Sequence, residues 1–258
     1  MIIDTASAVA RLLAARDDHR TLAPFTDTAP GLTLDQAYVV QRGLEDALAR
    51  RGERVIGWKA GFTNAAVQQG YGAREPVAGF MLASGVFASG DPVPVARFAG
   101  VGVEVEVAFL LRCALSGPGV TPASALLAIE GAMPALELID IRFSGKPRAE
   151  DMVADGVAAN AIVLGRPLTS VAGMDLALEG VVYELNGEVV ATNAAAEVLG
   201  SPLNSLAWLA NRLGALGRGL RPGDVVLSGS ISKILRPKAG DAIRASFTRL
   251  GSVSCRFV

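Results

Sequence analysis

The stretch Val101-Gly102-Val103-Glu104-Val105-Glu106-Val107-Ala108-Phe109 alternates apolar and acidic side chains with a period of two, the pattern of a β-strand. A strand sends successive side chains to opposite faces, so Val103, Val105 and Val107 share one face and Glu104 and Glu106 the other. At a rise of about 3.3 Å per residue the β-carbons of the two glutamates lie about 7 Å apart. Side chains of that length can converge on one ion, with oxygen distances of about 2.0–2.6 Å. A half-exposed edge strand with a solvated polar face would carry the same alternation.

Outward from this strand, the chain from Val55 onward is a series of short β-like runs punctuated by Gly and Pro. They include Val55–Trp58, Gly102–Leu111, Ala135–Ile141, Ala161–Leu164, Gly180–Leu185, Glu188–Ala191, Asp224–Ser228, Ala242–Thr248 and Val253–Val258. Asn186-Gly187 between two of them is a two-residue hairpin signal. Two helices interrupt the series, one capped by Thr121 with Pro122 at its first position, the other from about Pro202 to Leu213. Before Val55 the pattern is helix, turn, helix. Ala8, Leu12 and Leu13 form the first apolar stripe; Ala37, Val40, Leu44 and Leu48 form the second, with Thr33 and Gln36 as its capping box and Gly52 as its stop. Strands without strict βα alternation predict a mixed α+β fold on a large, curved, mostly antiparallel sheet or barrel. Residues 1–54 form an N-terminal helical region and residues 55–258 the β-rich part of one continuous unit.

Composition narrows the function. The chain has 258 residues, 51% apolar and 19% charged, with a mean hydropathy of +0.39. Its 24 Lys and Arg against 25 Asp and Glu leave a charge of −1, with no basic block for nucleic acid or an anionic membrane. No run of about 20 apolar residues is present to span a bilayer, and Asp4 stands where a signal peptide carries basic residues, so a cytoplasmic protein is expected. Cys113 and Cys255 are too few for a disulfide framework and are expected as buried, unpaired thiols. The only histidine is His19, which excludes a histidine-rich metal site.

Two further residues stand out. Glu137 sits among Ala135, Leu136, Leu138 and Ile139, where an unpaired buried carboxylate is costly, so it needs a cation, a proton or a donor. Pairing with Arg142 or Lys59 would serve as well as a metal. Three carboxylates without histidine make a hard, oxygen-only set that favours Mg²⁺ or Mn²⁺, with Ca²⁺ possible. Lys59, between small residues in Val55-Ile-Gly-Trp-Lys59-Ala-Gly-Phe-Thr63-Asn64, can hold a carboxylate or enolate oxygen as a point charge, or snorkel from a strand end.

The ordered series IGWKAGFTNAAVQQGYG, VEVEVAFLL, PALELIDIRF, VADGVAANAIVLG, GSPLNSLAWLANRLG and LRPGDVVLSGS resembles the 2-keto-4-pentenoate hydratase and 4-oxalocrotonate decarboxylase family, within the fumarylacetoacetate hydrolase superfamily. The resemblance implies a mixed, mostly antiparallel β-roll with an N-terminal helical region. It places metal ligands on Glu104, Glu106 and Glu137 and an active-site lysine on Lys59. It implies substrate-side roles for Arg142, Asn160, Ser228 and Gly229, and Asp155 is the candidate for proton transfer. Homo-oligomers up to decamers, and association of hydratase with decarboxylase, are further implications.

In such a hydratase, 2-hydroxypenta-2,4-dienoate gains water to give 4-hydroxy-2-oxopentanoate, with Mg²⁺ stabilising the enolate oxygen, as part of aromatic meta-cleavage catabolism. The alternative is decarboxylation of 4-oxalocrotonate (2-oxohex-3-enedioate) through the same electron sink. Acylpyruvate-type C–C hydrolysis is disfavoured with His19 as the sole imidazole. A non-catalytic subunit of a hydratase–decarboxylase complex is a fourth reading, against which the three retained carboxylates and Lys59 argue. Within the resemblance, Arg74 and Val77 occupy positions that are acidic in hydratases, Val77 being nearer the decarboxylase pattern, and Ser201 replaces a histidine of a G-H-P-L motif.

Overall fold

The computed structural model describes residues 3–258. Two helices, α1 (Thr5–Asp17) and α2 (Leu34–Arg50), precede the first strand, β1 (Val55–Gly61). There follow α3 (Ala65–Tyr71), β2 (Val77–Leu82), β3 (Val86–Ala88), β4 (Pro92–Val93) and β5 (Val101–Leu111). The middle of the chain contributes α4 (Pro122–Leu127), β6 (Ile129–Asp140), α5 (Ala149–Ala154) and β7 (Ala159–Leu164). The last part holds β8 (Gly180–Leu185), β9 (Glu188–Ala194), α6 (Pro202–Ala215), β10 (Val225–Leu227), β11 (Ala242–Phe247) and β12 (Ser252–Phe257).

The strands form a seven-stranded sheet in the order β2-β1-β10-β5-β6-β7-β3 and a five-stranded sheet in the order β4-β12-β11-β8-β9. Pairing is antiparallel except for β1 with β10, β3 with β7 and β4 with β12. The mixed, mostly antiparallel character expected from the sequence is therefore observed. β5 lies between β10 and β6, so it is an interior strand, and the edge-strand reading of its alternation does not apply. Its Val103, Val105, Val107 and Phe109 are fully buried in the main core.

Local chemistry fixes the ends of the elements. Thr33 Oγ1 accepts from Gln36 N at 3.3 Å while Gln36 Oε1 accepts from Thr33 N at 3.1 Å, a reciprocal box that satisfies two free donors of α2. Asn186 and Gly187 adopt φ of +55° and +85°, the double left-handed turn that matches the twist of the β8–β9 hairpin. The helical pair is bonded to the rest of the fold: Gln41 Nε2 of α2 donates to the carbonyls of Ala78 at 2.9 Å and Val153 at 2.8 Å, and Tyr38 Oη accepts from Ala78 N at 2.9 Å.

Several elements differ from the sequence reading. β2, β3, β4, α3 and α5 are additional to it. β2 is buried at every position but its last, so it carries no alternation, and Gly79 interrupts it. α3 buries none of its seven residues and α5 spans six, both too short for a helical period to register. Cys113 is exposed rather than buried, on the loop after β5, whereas Cys255 is buried as expected. Among the described residues no helix is long and apolar enough to cross a membrane.

Candidate metal centre and active site

In the β5–β6 ladder Glu104 pairs directly with Glu137, and Glu106 pairs with Ala135 one step along. Directly paired residues share a face, so all three carboxylates emerge on the same side of the sheet. One oxygen from each lies within 4.8 Å of the others. Lys59 is paired with Leu227 of β10, whose opposite neighbour is Ala108 of β5, and this brings its side chain to that same face. Lys59 Nζ lies 3.1 Å from Glu137 Oε2 and donates to the Val157 carbonyl at 3.2 Å.

Like charges set opposite one another across strands are destabilising, and Glu104 and Glu137 stand in that relation; Glu137 and the neighbouring Glu106 are buried, at 0% and 1% exposure, while Glu104 is half-buried. Glu106 Oε2 accepts from Gly229 N at 2.7 Å. Neither oxygen of Glu137 has a hydrogen-bond partner of full geometry; the Lys59 ammonium reaches Oε2 as an ion pair at 3.1 Å. One lysine against three carboxylates leaves a surplus of two negative charges. Desolvation, only partly offset by Lys59, pushes the Glu104 carboxyl up to about 7, and desolvation with Glu137 pushes Glu106 well above the ordinary carboxylate range. For Lys59, desolvation acts downward but the three glutamates outweigh it, so its ammonium is held on. An all-oxygen set with orphaned acceptors, whose carboxyls keep their protons unless a cation takes their place, fits a divalent cation.

The centre opens onto a cavity of about 460 Å³ whose floor includes Lys59, Glu104 and Glu106. Ile139, Ile141, Met152 and Val157 give it apolar walls, and Thr63, Asn64, Ser230 and Lys233 add polar groups. Phe62 and Tyr71 stack at 4.7 Å between centroids, 13° from parallel, on one side of it. Left-handed backbone is concentrated here: Phe62, Val157 and Ala158, all lining the cavity, have φ of +57°, +59° and +58°. Such conformations cost of order 1–3 kcal/mol each and persist only where the surroundings impose them.

The remaining residues singled out from the sequence lie behind this wall. Asp155 and Arg142 do not line the cavity: Arg142 Nε donates to both oxygens of Asp155 at 3.1 and 2.8 Å, and Arg142 Nη1 donates to Asp140 at 3.2 Å. Asn160 donates to Asp140 Oδ2 at 3.4 Å and accepts from Arg97 Nε at 3.3 Å, also away from the cavity. Ser228 is buried with its hydroxyl unpartnered, and Gly229 serves Glu106 through its N–H rather than facing the cavity itself. Gly229 has φ +117°, and a Cβ there would collide with the Thr63 side chain. Tyr71, Thr63, Ser230 and Lys233 were not singled out from the sequence, although the first two lie within the quoted lysine-bearing segment.

The departures from the family pattern also have structural roles. Val77 is buried at 1% exposure, and Glu75 pairs with Arg212 at 3.7 Å. Ser201 caps α6, its Oγ accepting from Leu203 N at 3.4 Å ahead of Pro202.

Residues 54–258 match the family described as fumarylacetoacetate (FAA) hydrolase C-terminal. The chain is 37% identical to a 2-keto-4-pentenoate hydratase of Burkholderia vietnamiensis over 253 residues, covering 98% of this chain and 97% of that protein. It is 32% identical to a 4-oxalocrotonate decarboxylase of Pseudomonas putida over 247 residues, covering 95% and 92%. The solved structure of 4-oxalocrotonate decarboxylase from Pseudomonas putida G7, complexed with magnesium and adipate, superposes with a TM-score of 0.95 at 30% identity, over 98% of this chain and 97% of that one.

Proposed function

The chain belongs to the fumarylacetoacetate (FAA) hydrolase C-terminal family, and on that premise we propose that it is a metal-dependent lyase of unsaturated 2-oxo acids. We read it as a 2-keto-4-pentenoate hydratase that converts 2-hydroxypenta-2,4-dienoate into 4-hydroxy-2-oxopentanoate. The observation that carries this reading is the cluster of three carboxylates, the half-buried Glu104 and the buried Glu106 and Glu137, beside Lys59 at the floor of an apolar cavity. The two relatives described above, a hydratase and a decarboxylase, support the reaction class.

Glu104, Glu106 and Glu137 would hold the cation, Mg²⁺ first and Mn²⁺ second for a hard, all-oxygen set, a choice supported by the magnesium complex of the similar decarboxylase. Bound there, it would supply Lewis-acid stabilisation of negative charge developing on the 2-oxo oxygen. Lys59 holds its proton and offers the ammonium to the substrate carboxylate or to that oxygen. Ile139, Ile141, Met152 and Val157 exclude water along the carbon chain, so the added water is admitted only where Thr63 and Ser230 can receive it. Proton transfer falls to Tyr71 on the wall or to water held at Thr63 and Ser230, because Lys59 keeps its proton and the Asp155 carboxylate is taken up by Arg142 and Arg16.

Decarboxylation of 4-oxalocrotonate is the second reading, favoured by an aliphatic residue, Val77, at a position nearer the decarboxylase pattern and by the superposition with the decarboxylase. Ultraviolet assays with 2-hydroxypenta-2,4-dienoate and with 2-oxohex-3-enedioate, with CO₂ measured in parallel, separate the two. Hydration of the first without CO₂ release supports the hydratase; CO₂ from the second selects the decarboxylase; turnover of neither defeats the lyase reading. We further read the chain as a cytoplasmic enzyme of aromatic meta-cleavage catabolism and as a homo-oligomer able to associate with a partner hydratase or decarboxylase. Exposed apolar residues such as Leu178 and Val189 support the subunit contacts.

A further inference from the structure

The Gly156–Ala158 turn stands between two sets of contacts. Its front presses on the site. The Val157 carbonyl accepts from Lys59 Nζ at 3.2 Å, and the Val157 side chain lines the cavity. Two glycines make room for it: a Cβ on Gly61 would stand 2.5 Å from Val157 Cγ1, and a Cβ on Gly79 would run into the Gly156 carbonyl. Three successive residues, Gly156, Val157 and Ala158, have φ of +74°, +59° and +58°. A β-branched residue does not hold that conformation unless it is imposed.

The back of the turn is gripped by charge. Asp155, the residue immediately before it, accepts from Arg142 Nε with both oxygens. Arg16, from α1, donates through Nη2 to the Asp155 carbonyl at 2.8 Å and to Asp155 Oδ1 at 3.1 Å. Arg142 also donates to the Ala159 carbonyl at 3.4 Å, just past the turn, and pairs with Asp140. Two guanidinium groups and two carboxylates make the cluster neutral, and Asp155 and Arg142 are buried to 1% and 0% exposure. Buried networks of this kind define one arrangement, because a displaced member is left unpaired.

We propose that Asp155 and Arg16 are positioning residues for the reaction: they hold the left-handed turn so that its Val157 carbonyl fixes Lys59 Nζ between Glu137 and the cavity. Through Arg16 the N-terminal helix sets the reach of the lysine, although no residue of that helix lines the cavity. The inference rests on the reading of Lys59 as the active-site lysine. Asp155 acts through the backbone and takes no proton from substrate.

The test uses the full-length, Mg²⁺-loaded protein with whichever of the two substrates the parent turns over. Arg16→Ala leaves the Asp155–Arg142 pair in place, which should preserve the fold. It is expected to lower kcat at least tenfold while KM, Mg²⁺ affinity and Tm stay close to those of the parent. Arg16→Lys, which retains a donor for the Asp155 carbonyl, is expected to recover part of kcat, and millimolar guanidinium is expected to restore Arg16→Ala saturably. Parental kcat in Arg16→Ala, or a loss that only tracks a lower Tm or weaker Mg²⁺ binding, overturns the proposal. Lys59→Met separates the two readings: if it is inactive while Arg16→Ala is not, positioning alone fails, and if it keeps full turnover, both fail.

Discussion

Glu104 and Glu137 face each other directly across neighbouring antiparallel strands, two carboxylates at a pair position where sheets normally set opposite charges or apolar partners. The register therefore builds a repulsion into the centre of the seven-stranded sheet, and binding of a divalent cation relieves it.

Glu104→Gln removes one side of that repulsion. The metal-free variant is expected to melt at a higher temperature than the metal-free parent, while its Mg²⁺ affinity falls at least tenfold and turnover is lost. Thermal melts and calorimetric Mg²⁺ titrations check both halves; unchanged Mg²⁺ affinity would remove Glu104 from the ligand set.

The pH dependence follows from the same carboxylates. In the metal-free fold Glu104 keeps its proton up to about 7, whereas the ordinary value, and that of the unfolded chain, is 4.5. Between those limits the folded state binds more protons than the unfolded one, so the contribution of this group to stability falls as pH rises through that window. Glu106, raised for the same reason, acts in the same direction. A bound cation competes with these protons, so the rise in Tm on adding Mg²⁺ should grow from pH 5 to pH 8. A stabilisation independent of pH would show that these carboxyls are not the ligands.

Lys59→Met is expected to fold and bind Mg²⁺ while kcat falls at least a hundredfold. The methionine keeps the length of the buried stem and loses only the charge beside Glu137. Unchanged steady-state kinetics would reduce Lys59 to a counter-charge.

Gly229→Ala puts a methyl group into Thr63 at a backbone angle that side chains rarely adopt. The Gly229 N–H then moves away from Glu106 Oε2, and weaker Mg²⁺ binding is expected in addition to a loss of stability. Parental Mg²⁺ affinity in a folded variant would show that this donor does not orient Glu106.

Ser201→Ala deletes the side-chain cap of α6. A loss of about 1 kcal/mol in urea unfolding is expected, with Mg²⁺ affinity unchanged. An effect on metal binding would place Ser201 nearer the site than its capping role requires.

Much of the fold was legible because its signals are local. The alternation of β5, the Thr33–Gln36 box, the Asn186-Gly187 turn and the Pro122 and Pro202 helix starts depend on neighbouring residues, and each is found where the sequence predicts it. The three glutamates could be grouped by chemistry, but that Glu104 opposes Glu137 is a matter of register between strands, which neither strand states alone. The same holds for Asp155. From the sequence it is an acid near the site, and only the fold brings Arg142 and Arg16 onto its carboxylate. The cavity wall was least legible, because Tyr71 and Val157 owe their places to a helix without buried residues and to a left-handed turn.

The three-residue strand β10 joins the β1 edge, which carries Lys59, to β5, which carries two of the glutamates. It comes more than a hundred residues later in the chain than either. During synthesis, therefore, the strands bearing the lysine and the carboxylates emerge first and remain unjoined, with open edges and uncompensated charge, until Val225–Leu227 arrives. The three glutamates sit on β5 and β6, which pair with each other directly, so a chain cut before β10 still holds the carboxylates side by side but lacks the strand that brings Lys59 beside them.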